Sequence, residues 1–166
     1  MYSLLARRSI RKYTEEKVPE SKVLEIINAA MAAPSAGDQR PWHFVIINKR
    51  EILDQIPGFH PYASMVKQAS VAILICGDPT LEMHKNYWVQ DCSAATQNIL
   101  IAIQALGLGG VWLGVYPRET RVVEFRKLLE MPEEIIPFAL IPIGYPDEYL
   151  PPAVRYDESR IKFNKW

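Results

Sequence analysis

GLGGVWLG, residues 107 to 114, decides which kind of sheet this chain builds. Helical and strand patterns alternate on either side of it, an order that ordinarily implies a doubly wound parallel sheet with a phosphate-cradling glycine loop after the first strand. These glycines fall at the wrong spacing for GxGxxG, no GxxxxGK[ST] occurs anywhere, and a helix rather than a strand comes first. A nicotinamide-binding Rossmann domain and a P-loop NTPase are therefore disfavoured. The pattern reads instead as α+β, with a mixed, mainly antiparallel central sheet flanked by helices.

Upstream of the glycines, residues 81 to 106 read as one long helix with Ala95, Ile99, Ala102, Ile103 and Leu106 on one face and Gly107 as its C-terminal cap. Downstream come a strand over VWLGVY (111 to 116), an amphipathic helix over RETRVVEFRKLL (118 to 129) and a strand over FALIPIGY (138 to 145). Toward the N-terminus, Val23, Ile26, Ile27, Ala30 and Met31 repeat with helical period, opened at Pro19 and stopped by Pro34. WHFVIIN (42 to 48) and SVAILICG (70 to 77) are β-branched and apolar enough for buried strands, with short helical pieces between them.

The 166 residues suit a single domain over 1–166. Its last stretch, 146–166, carries Pro151, Pro152, Tyr156, Phe163 and Trp166, too apolar for simple disorder and without a core of its own. It is expected to act as an arm packing on a second subunit. Lys plus Arg and Asp plus Glu each number 19, so no global field exists to gather nucleic acid or an anionic membrane surface. No apolar run approaches the roughly 20 residues of a membrane span and no signal segment is legible, which reads as a cytoplasmic protein. Cys76 and Cys92 read as buried reduced thiols, and His43, His60 and His84 have no metal-ligand spacing. No Ser-His-Asp or Cys-His order is present, so no side chain is singled out as catalytic.

Against that balance, RRSIRKY (7 to 13) packs three arginines and a lysine into seven residues. Arg7, Arg8 and Arg11, with Ser9 between them, offer a donor set suited to one phosphate and neighbouring carbonyls; the alternative is a solvated basic helix end. PSAGDQRPWHF (34 to 44) sets a small-residue loop between a helix stop and a strand. Ser35, Gly37, Asp38 and Gln39 can present donors and acceptors to a flat polar ring system, or the loop can be a tight connection and nothing more.

Together, RRSxR, the PSxxxxxPWHF stretch about 25 residues later, GLGGVWLG and the long helix DCSAATQNILIAIQALGLG (91 to 109) resemble the FMN-dependent nitroreductase family over nearly the whole chain. That resemblance implies an intertwined α+β homodimer with FMN in a cleft at the subunit interface. It implies that Arg7, Arg8, Ser9 and Arg11 bind the phosphate, ribityl and pyrimidine edge, and that Arg155 returns to the phosphate. Pro34, Ser35, Ala36 and Asp38 would come from the partner, and the backbone around Leu113 and Gly114 would meet flavin N5, the atom that carries the chemistry.

The implied activity passes hydride from NADH or NADPH through FMN to a nitroaromatic, quinone or enone by a ping-pong mechanism. The other reading is an FMN-binding carrier or sensor module that does not turn over with NAD(P)H. Two positions depart from the family pattern: Asp38 stands where asparagine is common and Arg40 where glutamine is common. An aspartate facing flavin repels its reduced anion unless Arg40 or another cation offsets it. The segment between Gly77 and Asp91 is short, which implies a reduced lid over a shallow, open substrate pocket.

Overall fold

The computed structural model describes residues 1–166. Its elements run α1 (Tyr2–Ala6), α2 (Glu20–Met31), β1 (Trp42–Ile47), α3 (Arg50–Leu53), β2 (Val71–Gly77), α4 (Trp88–Ala105), β3 (Gly109–Gly110), β4 (Leu113–Gly114), α5 (Glu119–Leu129) and β5 (Ile136–Gly144). The sheet order is β1-β2-β5-β3, with β4 also pairing with β5, and every pairing is antiparallel. This is the expected α+β architecture.

β2 and β5 owe their central place to composition. All seven residues of β2 are buried, and alternate side chains enter opposite faces of the sheet. Val71, Ile73 and Ile75 join α2 and α4 through Val23, Ile26, Ala95 and Ile99, whereas Ala72, Leu74 and Cys76 join α3 and α5 through Leu53, Val122 and Phe125. The sheet is thus covered on both faces, each fully buried aliphatic side chain contributing about 1.5–3 kcal/mol.

The helix over 81 to 106 begins later than expected, at Trp88. Glu82 explains the delay: its carboxylate accepts from Asn86 N at 3.2 Å and Trp88 N at 2.8 Å, closing a turn in which Asn86 takes a left-handed φ of 69°. Its far end matches expectation, with Gly107 at φ 71° and Leu108 N returning to Ile103 O at 2.9 Å. Of the strand expected over 111 to 116 only Leu113–Gly114 (β4) forms, meeting β5 at Ala139–Leu140, while β3 precedes that span at Gly109–Gly110 and meets β5 at Ile143–Gly144. Cys76 and Cys92 are free and buried, and burial pushes the Cys76 thiol up to about 12. No helix is long and apolar enough to cross a membrane.

Candidate functional site

The arginine segment is extended rather than helical. Only Tyr2–Ala6 forms a helix, and from Arg7 the chain lies along the end of the sheet, Ile10 N donating to Gly110 O at 3.1 Å and Tyr13 bridging to Pro146. Glycines make that seat possible. A Cβ on Gly109 would meet Ile10 Cγ2 at 2.7 Å, and one on Gly144 would meet Tyr13 Cβ at 2.8 Å. Ile10 and Tyr13 are both buried, and Tyr13 OH donates to Ile10 O at 2.8 Å. The apolar residues of the segment are therefore the anchors, and its polar residues are left to the surface: Arg7, Arg8 and Ser9 are half-buried and Arg11 is exposed.

Those cations gather without neutralisation. No guanidinium of Arg7, Arg8, Arg11 or Arg155 belongs to any of the chain's ion pairs. Partial burial, then the positive Arg155, then Arg8 push the Arg7 pKa below its ordinary value. Arg155 lies far away in sequence yet comes close enough to be felt, because the tail is held back: Glu148 Oε1 accepts Arg11 N at 2.6 Å and Lys12 N at 3.2 Å, and Arg8 Nη1 donates to Pro151 O. The guanidinium groups are thus unpaired within the chain, the one carboxylate held on the segment, Glu148, being bound by backbone N–H groups and not by a guanidinium.

Arg11 also borders a groove of about 470 Å³ whose other walls include Trp112, Leu113, Gly114, His60, Tyr62 and Arg121. The first and third sequence motifs thus meet in one place. Trp112 itself packs edge-on against Phe138, with ring centroids 5.9 Å apart.

The second motif lies elsewhere. Pro41 O accepts Asp78 N, Trp42 pairs with Gly77, and Gly77 pairs with Ile136, the first residue of β5. Gly110 and Gly109, against which the arginine segment is seated, pair with Ile143 and Gly144 at the other end of the same strand. Eight residues of strand separate those ends, about 26 Å at ~3.3 Å per residue. Pro34, Ser35, Ala36 and Asp38 therefore do not join Arg7, Arg8 and Arg155 within one chain.

Around that loop the bonding is dense. Asp91, buried in the first turn of α4, accepts Ala36 N at 3.0 Å and Gln39 Nε2 at 2.8 Å, while Gln39 Oε1 takes Met83 N at 3.1 Å and His84 N at 2.9 Å. Ser35 Oγ accepts Arg40 N at 3.0 Å. Asp38 is gripped by Arg40, and this bond holds its carboxyl below the usual carboxylate range. The departure Asp38/Arg40 is thus a self-neutralising pair, both side chains exposed.

A profile of the nitroreductase family matches residues 4–58 and 60–145. The chain belongs to the nitroreductase family. Its similarity extends to a Methanothermobacter thermautotrophicus protein named "Putative NADH dehydrogenase/NAD(P)H nitroreductase", 52% identical over 164 residues that cover 99% of this chain and 86% of that one. A solved FMN-dependent nitroreductase of Clostridium difficile R20291 superimposes with a TM-score of 0.92 at 30% identity, covering 100% of each chain. A Vibrio harveyi NADPH-flavin oxidoreductase is 27% identical over 158 residues, 88% of this chain and 65% of that longer protein. Three long-range side-chain anchors, Glu148, Asp91 and Arg121, carry no local sequence signal, and His60, which the sequence marks only as no metal ligand, is a fourth. Of the two roles the sequence allows Gln39, ligand contact or part of a tight connection, the structure shows the second: it is 9% exposed and bonded within its own chain.

Proposed function

We propose that the chain is an FMN-dependent oxidoreductase, taking hydride equivalents from NADH or NADPH and delivering them to an electrophilic acceptor such as a nitroaromatic, quinone or enone, the two substrates using one cleft in turn. Family membership and the names of the relatives support the coarse reading, an NAD(P)H-dependent flavin oxidoreductase. The observation that carries the finer one is the unpaired arginine cluster beside the Arg11–Gly114 groove. Three guanidinium forks suit a phosphate, and the groove's volume lies within the range of ordinary small-molecule sites.

When bound, FMN supplies at N5 an atom that accepts and releases hydride. Arg7, Arg8 and Arg155 would hold its phosphate, Ser9 its ribityl chain, and Arg11 the pyrimidine edge, where a cation favours the reduced form. Leu113 and Gly114 would border the ring edge. Pro34, Ser35, Ala36 and Asp38 would be supplied by a second copy of the chain, since their own lie at the far end of β5. Exposed Tyr2, Leu4 and Leu5 on α1 and exposed Tyr156, Phe163 and Trp166 on the arm support such a homodimer, because none finds cover in its own chain.

A flavin titration of the parent and Arg7→Ala with FMN and riboflavin tests the reading. A charge-assisted phosphate contact is worth roughly 1.5–3 kcal/mol, so FMN affinity is expected to fall about 10- to 150-fold. Riboflavin, which has no phosphate, should bind both proteins alike. Equal FMN affinities would return Arg7 to an idle surface charge. Bleaching of bound flavin by NADH or NADPH separates the enzyme from a carrier or sensor module, which would stay yellow.

A further inference from the structure

One backbone oxygen in the groove is held twice. His60 Nε2 lies 3.0 Å from the Gly114 carbonyl oxygen and Arg121 Nη1 lies 2.6 Å from it. The two donors arrive independently, His60 from the turn that follows α3 and Arg121 from the first half of α5. Tyr62 braces both: the Arg121 guanidinium sits 5.6 Å from its ring centroid, and its ring meets the His60 imidazole edge-on at 6.4 Å. A carbonyl has two lone pairs, so two donors saturate it.

His60 meets this bond at a cost. The residue is 1% exposed and its Nδ1 is buried without any partner. An unsatisfied buried nitrogen is destabilising, and a buried histidine serving packing alone is better replaced by an apolar residue. The neighbouring glycine is equally without a packing reason, since a Cβ on Gly114 would meet nothing within 4 Å. An open glycine peptide with a free carbonyl would offer any ligand in the groove a hydrogen-bond acceptor. Here that acceptor is already taken.

We propose that His60, supported by Arg121, is a positioning residue that masks the Gly114 carbonyl, so that this stretch of the groove offers its ligand no free acceptor. The inference rests on the flavin reading above and deepens it. The N5 edge of oxidised flavin carries acceptors, whereas reduced flavin carries N5–H, a donor. A masked carbonyl therefore withholds a bond that only the reduced form can make, and it keeps the cofactor's potential lower than a free carbonyl would. His60 is the cleaner of the two residues to test, because burial holds its imidazole below its ordinary pKa and therefore neutral at neutral pH, so that replacing it removes a donor without removing a charge.

The experiment is a redox titration of the FMN-loaded protein with His60→Met and His60→Gln. Methionine fills the space without donating, and glutamine restores an N–H. For His60→Met the reduced form is expected to gain about tenfold in relative affinity, a rise of about 30 mV for a two-electron couple. His60→Gln should return most of the way to the parent. An unchanged potential in His60→Met, or an equal shift in both variants, would overturn the proposal.

Imidazole nitrogen NMR on the parent needs no variant to fold. His60 is expected to carry its proton on Nε2 in both redox states; a proton on Nδ1 alone would refute the mask. If the parent binds no FMN, the functional reading fails, while the same NMR measurement on the free protein still decides whether His60 donates to Gly114.

Discussion

Arg40 closes a two-pronged ion pair on Asp38, its Nε donating to Oδ1 at 2.7 Å and its Nη2 to Oδ2. Because the pair is exposed and its charges cancel, each half alone is expected to matter more than both together. Asp38→Asn leaves a bare cation, which favours a bound reduced flavin and raises its potential; Arg40→Gln leaves a bare carboxylate and lowers it. The double variant should fall close to the parent. Redox titration at low salt checks this, with the shifts shrinking as salt is added. Shifts of the same sign in both single variants would contradict the cancellation.

Asp91→Ala tests the brace under the 35–40 loop. The substitution strands two donors, the half-buried Ala36 N–H and the buried Gln39 amide. Hydrogen bonds to a charged group are worth about 1.5–3 kcal/mol each, so urea unfolding should show a loss of at least about 2 kcal/mol. Gln39→Ala frees the exposed Met83 and His84 amides and also takes a donor from the buried Asp91 carboxylate, so it is expected to cost a similar amount.

His60 should give the fold a pH dependence. Burial first, and the nearby Arg121 charge further, depress its pKa, with the Gly114 bond opposing them. The unfolded chain then takes up a proton at a higher pH than the folded one. The stabilisation is complete above the ordinary histidine value of about 6.5 and is lost as pH falls through the depressed folded value. Denaturant midpoints of the parent and His60→Gln should diverge below about pH 6.5, the parent losing more, with a slope no steeper than about 1.4 kcal/mol per pH unit. Parallel pH profiles would exclude His60 as the source.

Two glycine-to-alanine changes should behave oppositely. At Gly77 a Cβ would sit 2.2 Å from Trp88 Cε3, inside a packed aromatic cluster, so Gly77→Ala is expected to cost about 1–3 kcal/mol in thermal or urea unfolding. At Gly114 a Cβ enters open groove. Gly114→Ala should leave stability within about 0.5 kcal/mol while weakening FMN, the signature of a glycine kept for a ligand and not for the fold.

Why some of this was legible and some not follows from range. β2 and β5 announce themselves because a strand covered on both faces must be apolar throughout, and α2 because its Val23–Ile26–Ala30 stripe repeats with helical period. The five-residue α1 has no buried residue and hence no stripe to read. Residues 81 to 87 look helical by composition, and two side chains hold them out of α4: Glu82, reaching ahead to Trp88 N, and Gln39, taking the Met83 and His84 amides.

Arg7 and Arg155 come close to each other, and the 34–38 loop stands at the opposite end of β5 from them, as a loop assigned to a second copy would within one chain. Asp91 with Ala36, and His60 with Gly114, are single bonds across more than fifty residues. No local pattern encodes such pairs, since each side chain alone is compatible with many partners.

Gln39 has one further consequence. By bonding Met83, His84 and Asp91 at once, it fuses the loop, the turn before α4 and the start of that helix into a single block. Loop, turn and helix start are thereby tied to move as one body, so that a cleft walled by a second copy's 34–38 loop, as proposed, would take the firmness of α4 into that wall.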